Sequence, residues 1–500
     1  MNKTMKKINI LLAALVILFT ASCQGFLDVK PSNQVSSEIS IQNATDAQIM
    51  LNGLMNKMTS TSYYGRNFPM YADAKGGDLT IFSAGNGGDG WYYFNHSPES
   101  NSYSGYWSTI YNCLYQANNI IANIDVLLAD PDNTEKEELN NFKAQALTLR
   151  ALMHFDLVRL YGKPYNMDKS SFGVTVVTEP VDARAQLTRN TVEEVYTQVV
   201  KDLNDAAPLF ESKDKNGGFA DYYANRAILA KVYMYMDNFS EALKLFEEII
   251  TSGKYELYKN DKWVESWTKE YGSESIFELH INATDNDPGD SGLGAYYRRR
   301  AHGISAGGVF LASKYWLDLM GPNDVRWGIM DYDQSHAEDN TGRKGANYKY
   351  SGSVDLKGDE GSTSTSVNIK VIRLSEVYLN AAECAARTNA NAKALEYLGA
   401  IAKRNPDWVA PATVTPELVQ DERRRELMCE GVVFFEYMRQ NMTVKYDDNA
   451  FENSTIPPTD GRGQLTNGWV TRDFYKTILP ISQGEINANP NIEKQQNPGY

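Results

Sequence analysis

Two glycine-rich stretches carry aromatic and planar polar side chains of the kind that bind sugars. The first, "GGDLTIFSAGNGGDGWYYFNHSPESNS", holds Trp91, Tyr92, Tyr93 and Asn95. Aromatic faces can stack on the C–H side of a sugar ring, and planar polar groups hydrogen-bond its hydroxyls. We therefore predict that these four residues contact a carbohydrate ligand. The alternative is that the aromatic rings anchor the loop to the body of the protein.

The second stretch lies within residues 254–369. It contains Tyr296, Tyr297 and Arg298, which we also predict to contact the ligand. Arg298 opens a basic run that continues through Arg299 and Arg300. This run could bind an acidic sugar or a sulfate, and equally could pack the loop on an acidic protein body. Tyrosine outnumbers phenylalanine by 31 to 18, which favours rings with a polar edge at a wet surface.

Two further motifs suggest chemistry that their surroundings do not support. "GISAG" places Ser305 in the G-x-S-x-G pattern of serine hydrolases, but that motif needs an apolar strand before it and a helix after it. The stretch "YYRRRAH" precedes it and a second glycine follows.

Asp285, Asp287 and Asp290 are oxygen ligands of the type calcium prefers, yet their spacing is not that of an EF-hand. A solvated turn is the prediction here, with a structural calcium ion as the alternative; no other metal or cofactor is predicted.

The amino terminus reads as a lipoprotein signal. Lys3, Lys6 and Lys7 precede an apolar run that is too short to span a membrane, and the small residues "TAS" follow it. Cleavage after residue 22 would make Cys23 the first mature residue, where bacterial lipoproteins carry diacylglycerol. We therefore predict a signal peptide at 1–22, lipidation of Cys23 and attachment to a membrane by acyl chains alone.

Composition limits the remaining function classes. The formal net charge of −14 argues against binding nucleic acid through its phosphates. Besides Cys23, the chain has Cys113, Cys384 and Cys429, each in an apolar helical context. An odd number cannot all pair, and no Cys/His spacing indicates zinc, so these three are predicted to be small core residues.

Helical periodicity dominates the sequence. In "FKAQALTLRALMHFDLVRLYG" the apolar residues recur at steps of three and four, and Gly162 and Pro164 should end the helix. Its apolar face comprises Phe142, Ala146, Leu149, Met153, Leu157 and Leu160. A second long helix at about 103–128 precedes it, so the two should form an antiparallel pair. In "DERRREL" the mixed charges suggest salt bridges on a helix surface.

Two distant segments share a helix-turn-helix pattern with gaps of three, nine and four residues. The positions are Ala230, Tyr233, Ala242 and Phe246, and then Ala382, Ala385, Ala394 and Leu398. Small residues where helices cross and a terminal proline are typical of tetratricopeptide repeats. We predict a mainly α fold, a tetratricopeptide-like superhelix with long irregular loop insertions and a few short strands. The regions should run from 23 to 235 and from 236 to 500, with a loop-rich insertion at 254–369.

Seven motifs in order resemble the SusD/RagB family of nutrient-binding lipoproteins. They are "CQGFLDVKPS", "ALTLRALMHFDLVRLYGKPY", "SESIFELH", "GPNDVRW", "VIRLSEVYLNAAECAAR", "ERRRELMCEG" and "LPISQGEINANPNIEKQQNPGY". One departure follows "CEG", where the family usually has an arginine, aromatics and an aspartate. Val433, Phe434, Phe435 and Glu436 stand there instead, which puts a local ion pair in doubt.

The resemblance implies a surface lipoprotein of the outer membrane that works without catalysis. It implies binding of an oligosaccharide or polysaccharide, and a SusC-like TonB-dependent transporter as the partner that receives it. Three alternatives remain open from the residues: the same fold binding oligopeptides, a tetratricopeptide-type protein adaptor, and a glycosidase with paired carboxylates.

Overall fold

Nine helices of at least twelve residues form the body of the described chain. A computed structural model describes residues 41–81, 88–99, 104–182, 184–298, 308–332, 344–350, 366–446 and 468–500. The nine are α1 Ala44–Met58, α2 Ser104–Ala129, α3 Lys136–Tyr161, α4 Val192–Ala206, α5 Tyr222–Tyr235, α6 Phe239–Thr251, α7 Leu374–Arg387, α8 Asn391–Ala402 and α9 Pro416–Leu427.

Shorter elements connect these helices. The short α-helices are Asn67–Lys75, Asp89–Tyr92, Tyr165–Asp168, Asn260–Trp263, Leu293–Tyr297, Lys314–Leu317, Val433–Arg439 and Gln483–Ala488, and the 3₁₀ turns are Ala207–Leu209, Glu265–Thr268, Gly289–Ser291, Val325–Ile329, Tyr475–Thr477 and Pro490–Gln495. The strands are β1 Leu79–Ile81, β2 Ser275–Leu279, β3 Phe310–Ala312, β4 Met330–Tyr332, β5 Lys344–Asn347, β6 Ile369–Arg373, β7 Val444–Lys445 and β8 Trp469–Val470. They form four antiparallel pairs: β1 with β3, β2 with β6, β4 with β5, and β7 with β8.

The predicted antiparallel pair is present as α2 and α3, which pack on each other along their length. The five predicted face positions from Ala146 to Leu160 are fully buried, and Phe142 is half-buried. Helix α3 ends before Gly162, whose N–H donates to the Val158 carbonyl at 2.8 Å. Pro164, two residues later, cannot continue the helix.

From α3 onward each long helix packs on the next one along the chain, through α4, α5, α6, α7 and α8. This is the predicted tetratricopeptide-like superhelix. The alanines at the two predicted crossings are buried, together with Phe246 and Leu398, while Tyr233 is half-buried. Small residues let the paired helices approach closely, and the larger ones fill the space between them.

The insertion at 254–369 is more regular than the sequence suggested. Its described part contains β2 to β5 and the start of β6, along with short helices. β2 pairs with β6, so the two ends of the insertion meet beside α7. Local periodicity could not show this, because each strand has only three to five residues. The domain boundary predicted at 235–236 stays a prediction.

Most of the charges of "DERRREL" are buried, so the prediction of surface salt bridges was wrong for them; only Asp421 and Arg425 in this segment keep partly exposed side chains. Arg423, Arg424 and Glu426 in α9 are all at 0% exposure. Glu426 accepts from Arg373 at 2.8 Å and from Arg326 at 3.2 Å, and the Trp263 indole also donates to it. Burying an unpaired charge costs much free energy, so acidic and basic side chains occur together here because they pair with each other and with neighbouring charges in the core.

The same network extends to neighbouring elements through further buried ion pairs. These are Arg326 with Asp324 and Glu422, Arg373 with Glu274 and Glu430, Arg404 with Glu274, and Lys349 with Glu430. Together they join the Val325–Ile329 turn, β6, the end of α8 and α9.

A second buried cluster surrounds Glu383 of α7. Arg423 and Arg439 approach its carboxylate at 2.9 and 2.7 Å. Burial alone would raise its pKa, but these guanidinium groups lower the pKa of Glu383 to about 2. Arg439 also pairs with Glu436 at 2.6 Å, and the Tyr235 hydroxyl donates to Glu436. An ion pair therefore exists where the departure from the family pattern had put one in doubt.

The three cysteines outside the signal region are buried free thiols, as predicted. Burial raises the pKa of Cys113 to about 12, which keeps that thiol protonated and inert. Among the described residues, no helix combines the length and the apolar character that crossing a membrane requires.

Asp73, in the helix Asn67–Lys75, is a buried acid, and no basic side chain of the described residues lies within hydrogen-bonding distance of it. It accepts from the Tyr297 hydroxyl at 2.8 Å and from the Gly431 N–H at 3.0 Å. Burial raises the pKa of Asp73 to about 7, and these two hydrogen bonds only partly oppose the rise.

We expect Glu426→Gln to lower the free energy of unfolding by about 3–5 kcal/mol, because it leaves buried arginines short of a counter-charge. Urea unfolding followed by circular dichroism measures the change. The control is Glu241→Gln on α6, where the exposed pair with Lys244 should be worth less than about 1 kcal/mol. Equal shifts in the two variants would show that the network is not what stabilises the carboxyl-terminal half.

We also expect Asp73 to make stability fall as the pH rises. Between the ordinary aspartate pKa and about 7, the folded protein keeps a proton that the unfolded chain releases. The stabilising contribution is therefore complete below about pH 4 and is lost as the pH rises through about 7.

Asp73→Asn should remove this loss, so the variant gains stability relative to the parent between pH 4 and 7. Urea midpoints measured across that range test it. The exposed Asp132→Asn serves as the matched control and should follow the parent at every pH. If the urea midpoint of Asp73→Asn followed pH in parallel with that of the parent, Asp73 would not be the source of the loss of stability.

Candidate functional site

The first predicted aromatic loop is largely turned into the protein. Its helix Asp89–Tyr92 places Trp91 and Tyr92 at 6% and 2% exposure, with Tyr93 half-buried and Asn95 exposed. For Trp91 and Tyr92 the alternative that the rings anchor the loop fits the structure, since a buried ring offers no face to a sugar. Ligand contact by Tyr93 and Asn95 stays a prediction.

A buried lysine explains why this loop folds inward. The ammonium of Lys75 lies 4.1 Å from the ring centre of Tyr71 and 4.5 Å from that of Phe94. Burial lowers the pKa of Lys75 well below its ordinary value, and the Lys476 carbonyl accepts from the ammonium at 3.1 Å. The loop therefore supplies one wall of an aromatic cage around Lys75.

The second predicted set also anchors its segment. Tyr297 and Arg298 are each 1% exposed, because Tyr297 donates to Asp73 and Arg298 donates to the Gly294 carbonyl at 3.1 Å. Tyr296 is half-buried, with the Arg66 guanidinium 5.2 Å from its ring centre and donating to its hydroxyl. In this arrangement only Tyr296 of the three keeps an accessible surface, and its contact with ligand stays a prediction.

Several sequence predictions fall outside the described residues, namely Cys23, Ser305, Arg299 and Arg300. In the acidic cluster, Asp285 accepts from the Asn56 amide at 2.6 Å, and Asp287 accepts from Gly289 and Ser366. Within the described ranges, no three acidic, histidine or cysteine side chains gather as a metal site would require.

A groove of about 780 Å³ opens between three distant parts of the chain. Helix α1 contributes Asn52, Met55 and Asn56, and the turn at 215–219 contributes Lys215, Asn216 and Phe219. The third wall runs from Tyr271 to Asn286. It presents Tyr271, His280, Asn282, Asp285 and Asn286. Three rings, those of Phe219, Tyr271 and His280, and five carboxamides thus share one concave surface.

Glu278, fully buried in β2, anchors the third wall. It accepts from the Lys370 ammonium at 2.7 Å, the Tyr271 N–H at 3.1 Å and the Asn368 amide at 3.2 Å. Burial would raise its pKa, but Lys370 holds the pKa of Glu278 below the ordinary value. Its own N–H donates to the Gly217 carbonyl at 2.8 Å, which fixes the neighbouring turn.

Asn368 then positions His280 in this wall. Its Oδ1 accepts from the Ile281 N–H at 3.1 Å and lies 3.0 Å from Nδ1 of His280. Burial raises the pKa of Tyr271, and Asn368 partly opposes that rise. The Tyr271 and His280 rings are 6.3 Å apart with a 31° angle between their planes, so they form a nearly continuous platform.

Tyr271 has a backbone φ of +51°, which is rare for a bulky residue. Such strain costs on the order of 1–3 kcal/mol and persists where surrounding contacts enforce it. Here the N–H bond to Glu278 enforces it. Tyr271 lines the groove in this conformation.

Sequence reasoning found part of this site. It predicted a loop-rich insertion at 254–369 with candidate ligand contacts in it, and that region supplies Tyr271, His280 and the following asparagines. It missed Asn52 and Asn56, because polar residues on an exposed helix face carry no signal of their own. Asn282 and Asn286, beside the acidic cluster, were the one local hint, but the sequence analysis weighed only the aspartates there, as a solvated turn or a calcium site.

Comparison with known proteins agrees with this architecture. The family model described as the SusD family matches residues 257–500, and one described as starch-binding associating with the outer membrane matches residues 25–234. SusD-like protein P25 of Formosa agariphila is 23% identical over 97% of this chain and 98% of its own length.

Solved structures are similar over most of the chain. A SusD superfamily protein from Bacteroides vulgatus is 31% identical with a TM-score of 0.81, covering 92% of this chain and 100% of its own. The surface glycan-binding protein A from Bacteroides fluxus is 21% identical with a TM-score of 0.69 over 91% of this chain and 99% of its own, and so shares the fold. The helical superhelix, the paired short strands and the family matches together show that the chain belongs to the SusD family.

Proposed function

We propose that this protein binds oligosaccharide in the groove between α1, the 215–219 turn and the Tyr271–Asn286 wall. The observation that carries the proposal is the combination of an aromatic platform with open carboxamides on one concave surface. Tyr271 and Phe219 supply ring faces, and Asn52 and Asn216 make no side-chain hydrogen bonds with other described residues. Carboxamides donate and accept, as sugar hydroxyls do.

The groove supports binding rather than catalysis. A glycosidase of the usual kind needs two carboxyl groups flanking the scissile bond. Of the described residues that line the groove, Asp285 alone carries a carboxylate. It is exposed and already accepts from Asn56. A modest affinity should follow, because a few stacked rings at about 1 kcal/mol each give micromolar to millimolar dissociation constants.

The cellular role that we propose is capture at the outer membrane. Members of the family to which the chain belongs are described as associating with that membrane. A lipid on Cys23 would hold the protein there, and a SusC-like TonB-dependent transporter would take the glycan from it. Oligopeptide capture and a purely protein-binding adaptor are the competing roles.

We expect Tyr271→Asn to weaken glycan binding about fivefold, because it deletes a ring worth about 1 kcal/mol. Asparagine tolerates the left-handed backbone at this position, so the fold should be kept. The measurement is calorimetry of the protein from Gln24 onward, with a ligand first found on native gels containing different polysaccharides. Tyr115→Ala, an exposed tyrosine on α2 outside this groove, is the control.

Other results would redirect the assignment. Equal affinity of the Tyr271 variant and its parent would remove the groove from consideration. Heat from peptides without binding of any glycan would favour the oligopeptide role, and released product would favour the glycosidase.

Replacing Cys23 with serine should move the protein from the membrane fraction to the soluble fraction, because the acyl chains have no other predicted attachment point. Immunoblots of fractionated cells test this, with Cys113→Ser as the control that should stay with the membrane. Copurification of a TonB-dependent barrel with the parent protein would support the proposed transporter partnership.

A further inference from the structure

If the groove binds glycans as proposed, the charged residues that line it influence whether it binds neutral or anionic ones. Among the described residues that line it, Lys215 and Asp285 carry opposite formal charges. They do not neutralise each other for a ligand, because the two groups have different partners.

The Lys215 ammonium is committed to the protein. It donates to the Gly272 carbonyl and lies 5.3 Å from the ring centre of Tyr255. Burial lowers the pKa of Lys215, while the carboxylates of Glu278 and Asp221 act in the opposite direction. Because its ammonium is bound to the Gly272 carbonyl and burial disfavours its charged form, Lys215 contributes chiefly its aliphatic stem to the groove.

Asp285 differs because its carboxylate is exposed and its partner is neutral. The Asn56 amide donates to Oδ2 at 2.6 Å, and no basic side chain pairs with this aspartate in the described part of the chain. A hydrogen bond from an amide leaves the full negative charge in place. That charge repels a carboxylate or sulfate on a bound sugar.

His280 adds a hydrogen-bond requirement. The orientation of Asn368 is fixed, since its Oδ1 accepts from the Ile281 N–H and its amide nitrogen donates to Glu278. Nδ1 of His280, 3.0 Å from that Oδ1, must then carry the proton. In the neutral ring this leaves Nε2 as an acceptor, and no described residue donates to it. A sugar hydroxyl can donate to Nε2, whereas a carboxylate or sulfate oxygen only accepts.

We infer that the groove selects neutral oligosaccharides over anionic ones because Asp285 repels negative charge, and that Nε2 of His280 accepts a hydrogen bond from a sugar hydroxyl. Asn368 is the positioning residue that sets the His280 tautomer. This inference rests on the proposed glycan-binding function.

The experiment compares each oligosaccharide with a partner that differs only in charge. Oligogalacturonate and its carboxyl-reduced counterpart form one pair, and cellohexaose and its uronate-oxidised form another, each titrated into the protein by calorimetry. We expect the neutral member of a bound pair to bind at least about tenfold more tightly at low salt. Added salt should narrow the difference, because it screens the repulsion.

Asp285→Asn should lower the neutral-to-anionic affinity ratio at least about threefold, and the exposed Asp132→Asn should leave that ratio as in the parent. An anionic member that binds as tightly as its neutral partner would overturn the selectivity while leaving the glycan-binding function in place. Binding of no oligosaccharide of either charge would overturn both.

The tautomer has a readout that needs no ligand. Long-range ¹H–¹⁵N NMR should show that the neutral imidazole of His280 carries its proton on Nδ1. The His280 signal is identified by its loss in His280→Gln. Asn368→Ala should shift the equilibrium toward Nε2 protonation. A parent spectrum with Nε2 already protonated would overturn the role assigned to Asn368.

Discussion

The buried carboxylate of Glu426 is the point on which the carboxyl-terminal half of the structure depends. A charge at 0% exposure must be matched by partners. Those partners come from the Val325–Ile329 turn, from β6 and from the indole of Trp263. Each partner lies in a different segment of the chain, so satisfying one ion brings the segments together. The network therefore specifies where the insertion returns to the helical body.

β6 links this network to the groove. Arg373 at its end pairs with Glu426 and Glu274, while Lys370 near its start pairs with Glu278. Asn368, immediately before the strand, holds the His280 ring, and Glu278 holds the Tyr271 backbone. A short strand with both ends fixed by buried charges is a rigid support. The platform proposed to meet the ligand can thus keep its shape without being part of a long helix.

The aromatic residues divide into two roles that composition cannot separate. Trp91, Tyr92 and Tyr297 are buried, Phe94 of the first loop lies against Lys75, and Tyr297 donates to Asp73. Tyr271 lines the groove, and its strained backbone is held by a hydrogen bond to Glu278. The clustered aromatics therefore anchor their loops, whereas Tyr271 lines the groove.

The sequence by itself determined the helices, their ends and the superhelix, because periodicity, caps and small residues at crossings act between near neighbours. It also carried the ordered motifs of the family. Only the tertiary structure decided that all the charges of "ERRRE" but Arg425 are buried, since mixed charges look the same on a surface and in a paired core. The groove likewise needed the tertiary structure, because Asn52, Phe219 and Tyr271 are separated by many residues and meet only when the β2–β6 pair closes the insertion. Long-range pairing of buried charges leaves no local periodicity, and that is why the sequence could not reveal it.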